Sequence, residues 1–113
     1  MKLYGIKTCD TCRKALKELA AAGHDVALVD VRAEAVGSEI LAAWMETVGP
    51  DLVNRRSTTW KGLSDEDRAK ADTTDGAVAL LTANPTLMKR PVIETGTATH
   101  LGWTPKVRGA LGL

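Results

Sequence analysis

The chain has 113 residues, 44% of them hydrophobic, and its 15 Lys+Arg against 14 Asp+Glu leave a formal charge of +1. That apolar content excludes a disordered chain, the length supports a single domain (1–113), and the even charge balance leaves no electrostatic footprint for nucleic acid. No apolar run reaches the roughly 20 residues of a membrane span and no signal-peptide core opens the chain, so a small cytoplasmic monomer without a membrane partner is expected.

Residues 2–6 read as a short apolar strand. A helix from about Thr11 to Ala22 follows, with apolar residues at 12, 15, 16 and 19 on one face and Gly23 as its C-terminal stop. Val26 to Val29 form a second apolar strand, closing in Asp30-Val31-Arg32. Strand, helix and strand in thirty residues make a βαβ unit, hence a parallel, right-handed pairing. The middle of the chain is helical. Ser38 is expected to cap a helix with apolar residues at 40, 41, 44, 45 and 48, which Gly49-Pro50 ends. Asn54 to Trp60 read as a polar loop in which Arg55 is a solvent residue and Trp60 a packing residue. Ser64 to Asp67 resemble a capping box with Asp in place of Glu. Thr74 to Ala83 form another helix offering Val78, Leu80 and Leu81 to the core, broken by Asn84-Pro85. Lys89-Arg90-Pro91 then leads into a strand at Val92-Ile93-Glu94. Thr95-Gly96-Thr97 turns it back along 98–101, and Thr104-Pro105 opens a last helix.

Within this order Cys9 stands where the first helix begins. Unpaired backbone N–H groups there carry partial positive charge, which eases ionisation of a thiol, and the thiolate is the nucleophile. Cys12 shares the first turn, with Cα atoms roughly 5–6 Å apart, a separation a disulfide tolerates. It also lies on the inward face with Ala15, Leu16 and Leu19, so a core cysteine and a resolving thiol are both open readings. In a reducing compartment such a pair indicates redox or metal chemistry before a structural bridge. Structural zinc needs four ligands and only His24 and His100 remain, far apart, so no metal is expected. His24, at a helix end, reads as a favourable C-terminal charge when protonated.

The whole order, βαβ, a helical middle and then ββα, matches the thioredoxin fold with a helical insertion at approximately 33–88. Tyr-Gly-Ile-x-x-Cys-x-Thr-x-x-Lys-Ala at 4–15, Arg-x-Thr-Thr-Trp at 56–60 and Lys-Arg-Pro at 89–91 resemble the arsenate reductase (ArsC)/Spx family, in particular its YffB-like branch. The resemblance implies a thioredoxin-like α/β domain with Cys9 as nucleophile and an arginine-lined anion pocket above it. It also implies substrate-binding roles for Arg13, Lys14, Arg56 and Arg90, and places Pro91 where such folds hold a cis proline. The activity it implies is a glutathione-linked thiol-disulfide oxidoreductase with no bound cofactor, taking electrons from glutathione or a glutaredoxin-type donor. A redox-sensing regulator of the Spx type, binding RNA polymerase through a Cys9–Cys12 switch, and a true arsenate reductase are the alternatives. Reductases that act on arsenate carry a further arginine after the hairpin, where this chain has Trp103, and the missing cation weakens the arsenate reading.

Overall fold

The structure, a computed structural model, describes residues 1–113. In chain order it comprises β1 (Lys2–Gly5), α1 (Asp10–Ala21), β2 (Ala27–Asp30), α2 (Ser38–Val48), α3 (Thr58–Lys61), α4 (Asp65–Ala69), α5 (Thr74–Ala83), β3 (Val92–Glu94), β4 (Thr99–Leu101) and α6 (Pro105–Ala110). Single 3₁₀ turns form at Pro50–Leu52, Lys70–Asp72 and Pro85–Leu87. The chain divides into two compact units, Met1–Glu34 with Arg90–Leu113, and Ala35–Lys89. None of the helices is long and apolar enough to cross a membrane.

The first unit holds a four-stranded sheet in the order β2-β1-β3-β4. β1 runs parallel to β2, with Tyr4 opposite Val29, and antiparallel to β3, with Leu3 opposite Ile93; β3 and β4 form an antiparallel hairpin. A parallel βαβ crossover joined to a ββα hairpin is the thioredoxin-like arrangement. Alternation along the strands puts Leu3 and Ile93 on one face. There they are fully buried with Cys12, Ala15 and Leu19 of α1 and packed with Val107 and Leu111 next to them. Each such aliphatic side chain contributes about 1.5–3 kcal/mol by leaving water. α1 ends as expected: Gly23 takes φ +91, and the His24 N–H returns to the Leu19 carbonyl at 3.0 Å. His24 does more than sit at a helix end, because its Nε2 lies 2.9 Å from the Leu111 carbonyl and ties the end of α1 to the end of the chain.

The second unit corrects several boundary expectations. Ser38 is the first residue of α2, not its cap; the N-cap is Gly37, whose carbonyl already accepts the N–H groups of Ile40 and Leu41 at 3.1 Å. α2 buries Leu41, Trp44 and Met45 and leaves Ile40 40% exposed, since Ile40 stands one residue off the inward stripe. α5 likewise buries Ala77, Leu80 and Leu81, while Val78 is only half-buried. A small alanine holds the i, i+3, i+4 position that the bulkier valine was expected to fill. The polar stretch before Trp60 is not all loop. Ser57 Oγ accepts the Trp60 N–H at 3.0 Å and starts α3.

Ser64 caps α4 through the Asp67 N–H at 3.1 Å, and the Asp67 carboxylate takes the Lys70 ammonium at 2.9 Å. Thr73 caps α5 through the Gly76 N–H. A Cβ at Gly76 would overlap the Lys70 carbonyl, so glycine lets the 3₁₀ turn lie against this helix start. A short antiparallel bridge pairs Val53 with Met88, closed by Asn54 N–H to Leu87 O at 2.9 Å and Lys89 N–H to Leu52 O at 2.8 Å. Two-residue pairing is too brief to leave a strand pattern in the sequence.

Candidate active site

The site of the first unit grows from the turn between β1 and α1. The Cys9 N–H bonds the Ile6 carbonyl at 3.0 Å, closing a tight turn over Lys7 and Thr8. Asp30, at the end of β2, fixes that turn from the side: its carboxylate accepts the N–H of Lys7 at 3.0 Å and that of Arg32 at 2.9 Å. These backbone donors, Lys7 first, hold the Asp30 carboxyl below its ordinary pKa. In the sequence Asp30 is legible only as a strand end. Its one signal was an acidic residue closing the strand parallel to β1.

Cys9 is the N-cap of α1, with extended backbone (φ −78, ψ 118), and its carbonyl accepts the Arg13 N–H at 3.0 Å. Its side chain is partly exposed. Burial by itself would raise the thiol pKa. The backbone N–H of Cys12, the Cys12 thiol and the hydrogen-bonded, positively charged Arg90 act the other way and bring it below the ordinary value. The Cys12 N–H belongs to the first turn of α1, so it acts on the sulfur as part of the positive end of the helix dipole. Cys12 is the opposite case. It is fully buried, and desolvation first, then the Cys9 sulfur, push its thiol up to about 11. Two thiols in one turn thus have pKa values driven apart, one suited to attack and one suited to keeping its proton.

The backbone behind Cys12 is equally specific, because a Cβ at Gly5 would overlap the Cys12 sulfur. Arg90 reaches the Cys9 sulfur from the residue before Pro91; the Arg90–Pro91 bond is cis, and Pro91 is buried with its carbonyl accepting the Gly102 N–H at 2.8 Å. Cys9, Cys12, Arg90 and Pro91 therefore assemble around one helix end. Arg13 and Lys14 follow on the first turn of α1 with exposed side chains. Trp103 turns elsewhere: its indole N–H donates to Glu18 at 2.5 Å, and Arg108 bonds the other Glu18 oxygen at 3.4 Å. Glu18 lies nine residues beyond Cys9, about 13 Å along the helix axis at 1.5 Å per residue.

Arg56 belongs to the second unit, where it lines an open cleft of about 530 Å³ with Asp51, Val53, Asn54, Arg55 and Lys89. Arg55, expected to be a plain solvent residue, holds its guanidinium 4.9 Å from the centre of the Trp60 ring.

The ArsC family model matches residues 4–110 of this chain. An uncharacterized protein of Haemophilus influenzae is 40% identical over 105 residues, covering 92% of this chain and 91% of its own. Among solved structures, a protein named YFFB is 34% identical with a TM-score of 0.89, covering 97% of this chain and 96% of its own. An arsenate reductase (ArsC) related protein from Brucella melitensis is also 34% identical, with a TM-score of 0.74 over 96% of this chain and 91% of its own.

Proposed function

We propose that this chain, which belongs to the ArsC family, is a thiol-dependent reductase that works through Cys9 and draws electrons from glutathione. The observation that carries the proposal is the Cys9 sulfur at the start of α1, partly exposed and favoured as the anion by the Cys12 N–H and by Arg90. The thiolate attacks the glutathione sulfur of a mixed disulfide. A new bond joins Cys9 to glutathione, the old disulfide breaks, and the leaving thiolate takes a proton from water. Arg90 and the helix start stabilise the negative charge as it passes between sulfurs. A second glutathione thiolate then attacks the glutathione sulfur on Cys9, releasing oxidised glutathione and restoring the Cys9 thiolate.

Cys12 is poorly suited to that second step. Burial, the main cause of its raised pKa, persists while Cys9 is held in the disulfide, so little Cys12 thiolate is present at pH 7, and only the thiolate attacks. An external thiol therefore resolves the intermediate. A low-molecular-weight disulfide assay coupled to glutathione oxidation tests this. Cys9→Ser is expected to abolish turnover and Cys12→Ser to keep a substantial part of it. Equal rates for the unmodified chain and Cys9→Ser would end the proposal.

A further inference from the structure

Trp103 and Arg108 both end on Glu18, where the chain passes from the sheet to its last helix. Along that passage Gly102 is buried with φ +80, and its N–H donates to the Pro91 carbonyl at 2.8 Å. One residue earlier, Leu101 pairs with Val92 in the β3–β4 ladder. One residue later, the Trp103 indole N–H donates to a Glu18 carboxylate oxygen at 2.5 Å. Thr104 then caps α6 by accepting the Val107 N–H at 3.2 Å, and Arg108 of that helix reaches the other Glu18 oxygen at 3.4 Å. The Glu18 side chain is only 26% exposed, so water competes weakly for these bonds.

This clasp is polar on an otherwise apolar seam. Cys12, Ala15 and Leu19 of α1 meet Leu3 and Ile93 there, with Cys9 and Trp103 packed against the same cluster. Apolar burial resists separation but has no direction, so it does little to stop a helix sliding along a sheet. A short hydrogen bond has a direction and does. Against β1 the helix is gauged by the close approach of Gly5 to Cys12; towards β4 it is gauged by Glu18. The same helix carries Cys9 at its start, and the strand segment tied to Gly102 opens with Arg90-Pro91, whose guanidinium bonds the Cys9 sulfur. We propose that Trp103, acting through Glu18, is a positioning residue for the thiol chemistry: it fixes α1 against the Pro91 segment and so sets the separation of the Cys9 sulfur from Arg90. The inference rests on Cys9 as the reacting sulfur and adds what keeps its cation within reach. All its residues lie in the first unit.

The test is the pH profile of Cys9 alkylation by iodoacetamide, in chains that also carry Cys12→Ser so that a single thiol reacts. The groups facing Cys9 are Cys12 and Arg90, so with Cys12 replaced the midpoint follows the cation. Trp103→Phe keeps an aromatic ring in the packing and removes the N–H. At an effective dielectric constant of about 20, widening a charge pair from about 4 to about 5 Å is worth about half a pH unit, and an upward shift of that order is expected. Glu18→Leu is expected to match it. Glu18→Gln, whose amide oxygen still accepts the indole N–H, is expected to stay near the parent midpoint. In an Arg90→Gln background Trp103→Phe should move the midpoint no further. A merely structural clasp would lower the urea midpoint and leave the alkylation profile in place. The inference is overturned by that result, by an equal Trp103→Phe shift with and without Arg90, or by Glu18→Gln shifting as far as Glu18→Leu. If Trp103→Phe does not fold, the two Glu18 variants decide alone. The Cys9 proposal is read separately, from disulfide turnover of Cys9→Ser, so the two failures are told apart.

Discussion

The proton on Cys9 is governed by opposing influences, so single substitutions should move it measurably. Burial raises its pKa, while the Cys12 N–H, the Cys12 thiol and Arg90 together lower it. Arg90→Gln is expected to shift the pH profile of Cys9 alkylation upward, because it removes both a hydrogen-bond donor and a positive charge from the thiolate. Rates measured with iodoacetamide on Cys12→Ser protein, with and without the Arg90 change, check this; coincident profiles would remove Arg90 from the site. Cys12 also makes stability depend on pH. Its folded-state pKa of about 11 lies above the unfolded value, so its contribution is complete below the unfolded pKa and is lost as pH rises through 11. The urea midpoint of the unmodified chain should therefore fall more steeply between pH 9 and 11 than that of Cys12→Ala. Cys9 has the opposite sign: its contribution is present above the unfolded thiol pKa and lost as pH falls through the folded one.

At the scale of elements, β1 and α1 approach so closely that the contact demands glycine. A Cβ at Gly5 would overlap the Cys12 sulfur and stand 3.2 Å from the Cys12 Cβ. Gly5→Ala is expected to cost about 1–3 kcal/mol through overpacking. Adding Cys12→Ala removes the sulfur, so the double variant should recover part of that loss, a coupling that urea denaturation of the four proteins measures. In the second unit Gly76→Ala meets a backbone carbonyl of Lys70, which cannot swing aside as a side chain can. Its cost should equal or exceed that of Gly5→Ala, and no single side-chain truncation should relieve it. The caps are simpler. Ser57→Ala removes the acceptor for the Trp60 N–H and is expected to cost about 1 kcal/mol by thermal or urea unfolding.

At the scale of the molecule, family membership and chemistry separate. An arsenate cage needs several cations around the nucleophile. Here Trp103 stands where the family resemblance puts one of them, and its indole N–H is committed to Glu18 in the last turn of α1. A strain lacking its own arsenate reductase is expected to show weak or no growth on arsenate when given this chain; full growth would overturn that expectation. The sequence by itself determined the order of strands and helices, the placing of Cys9 at a helix start and the breaks at Gly23, Gly49-Pro50 and Asn84-Pro85. These depend on neighbours within a turn or two, through periodicity, capping and backbone freedom. Only the tertiary structure decided that Cys12 is fully buried with its thiol raised, that Asp30 clasps the Cys9 turn, that Ala77 rather than Val78 faces inward, and that Arg55 rests on an aromatic ring beside a cleft. Each of those depends on burial, or on groups that folding brings to a side chain from other turns and strands, and local patterning does not carry that information.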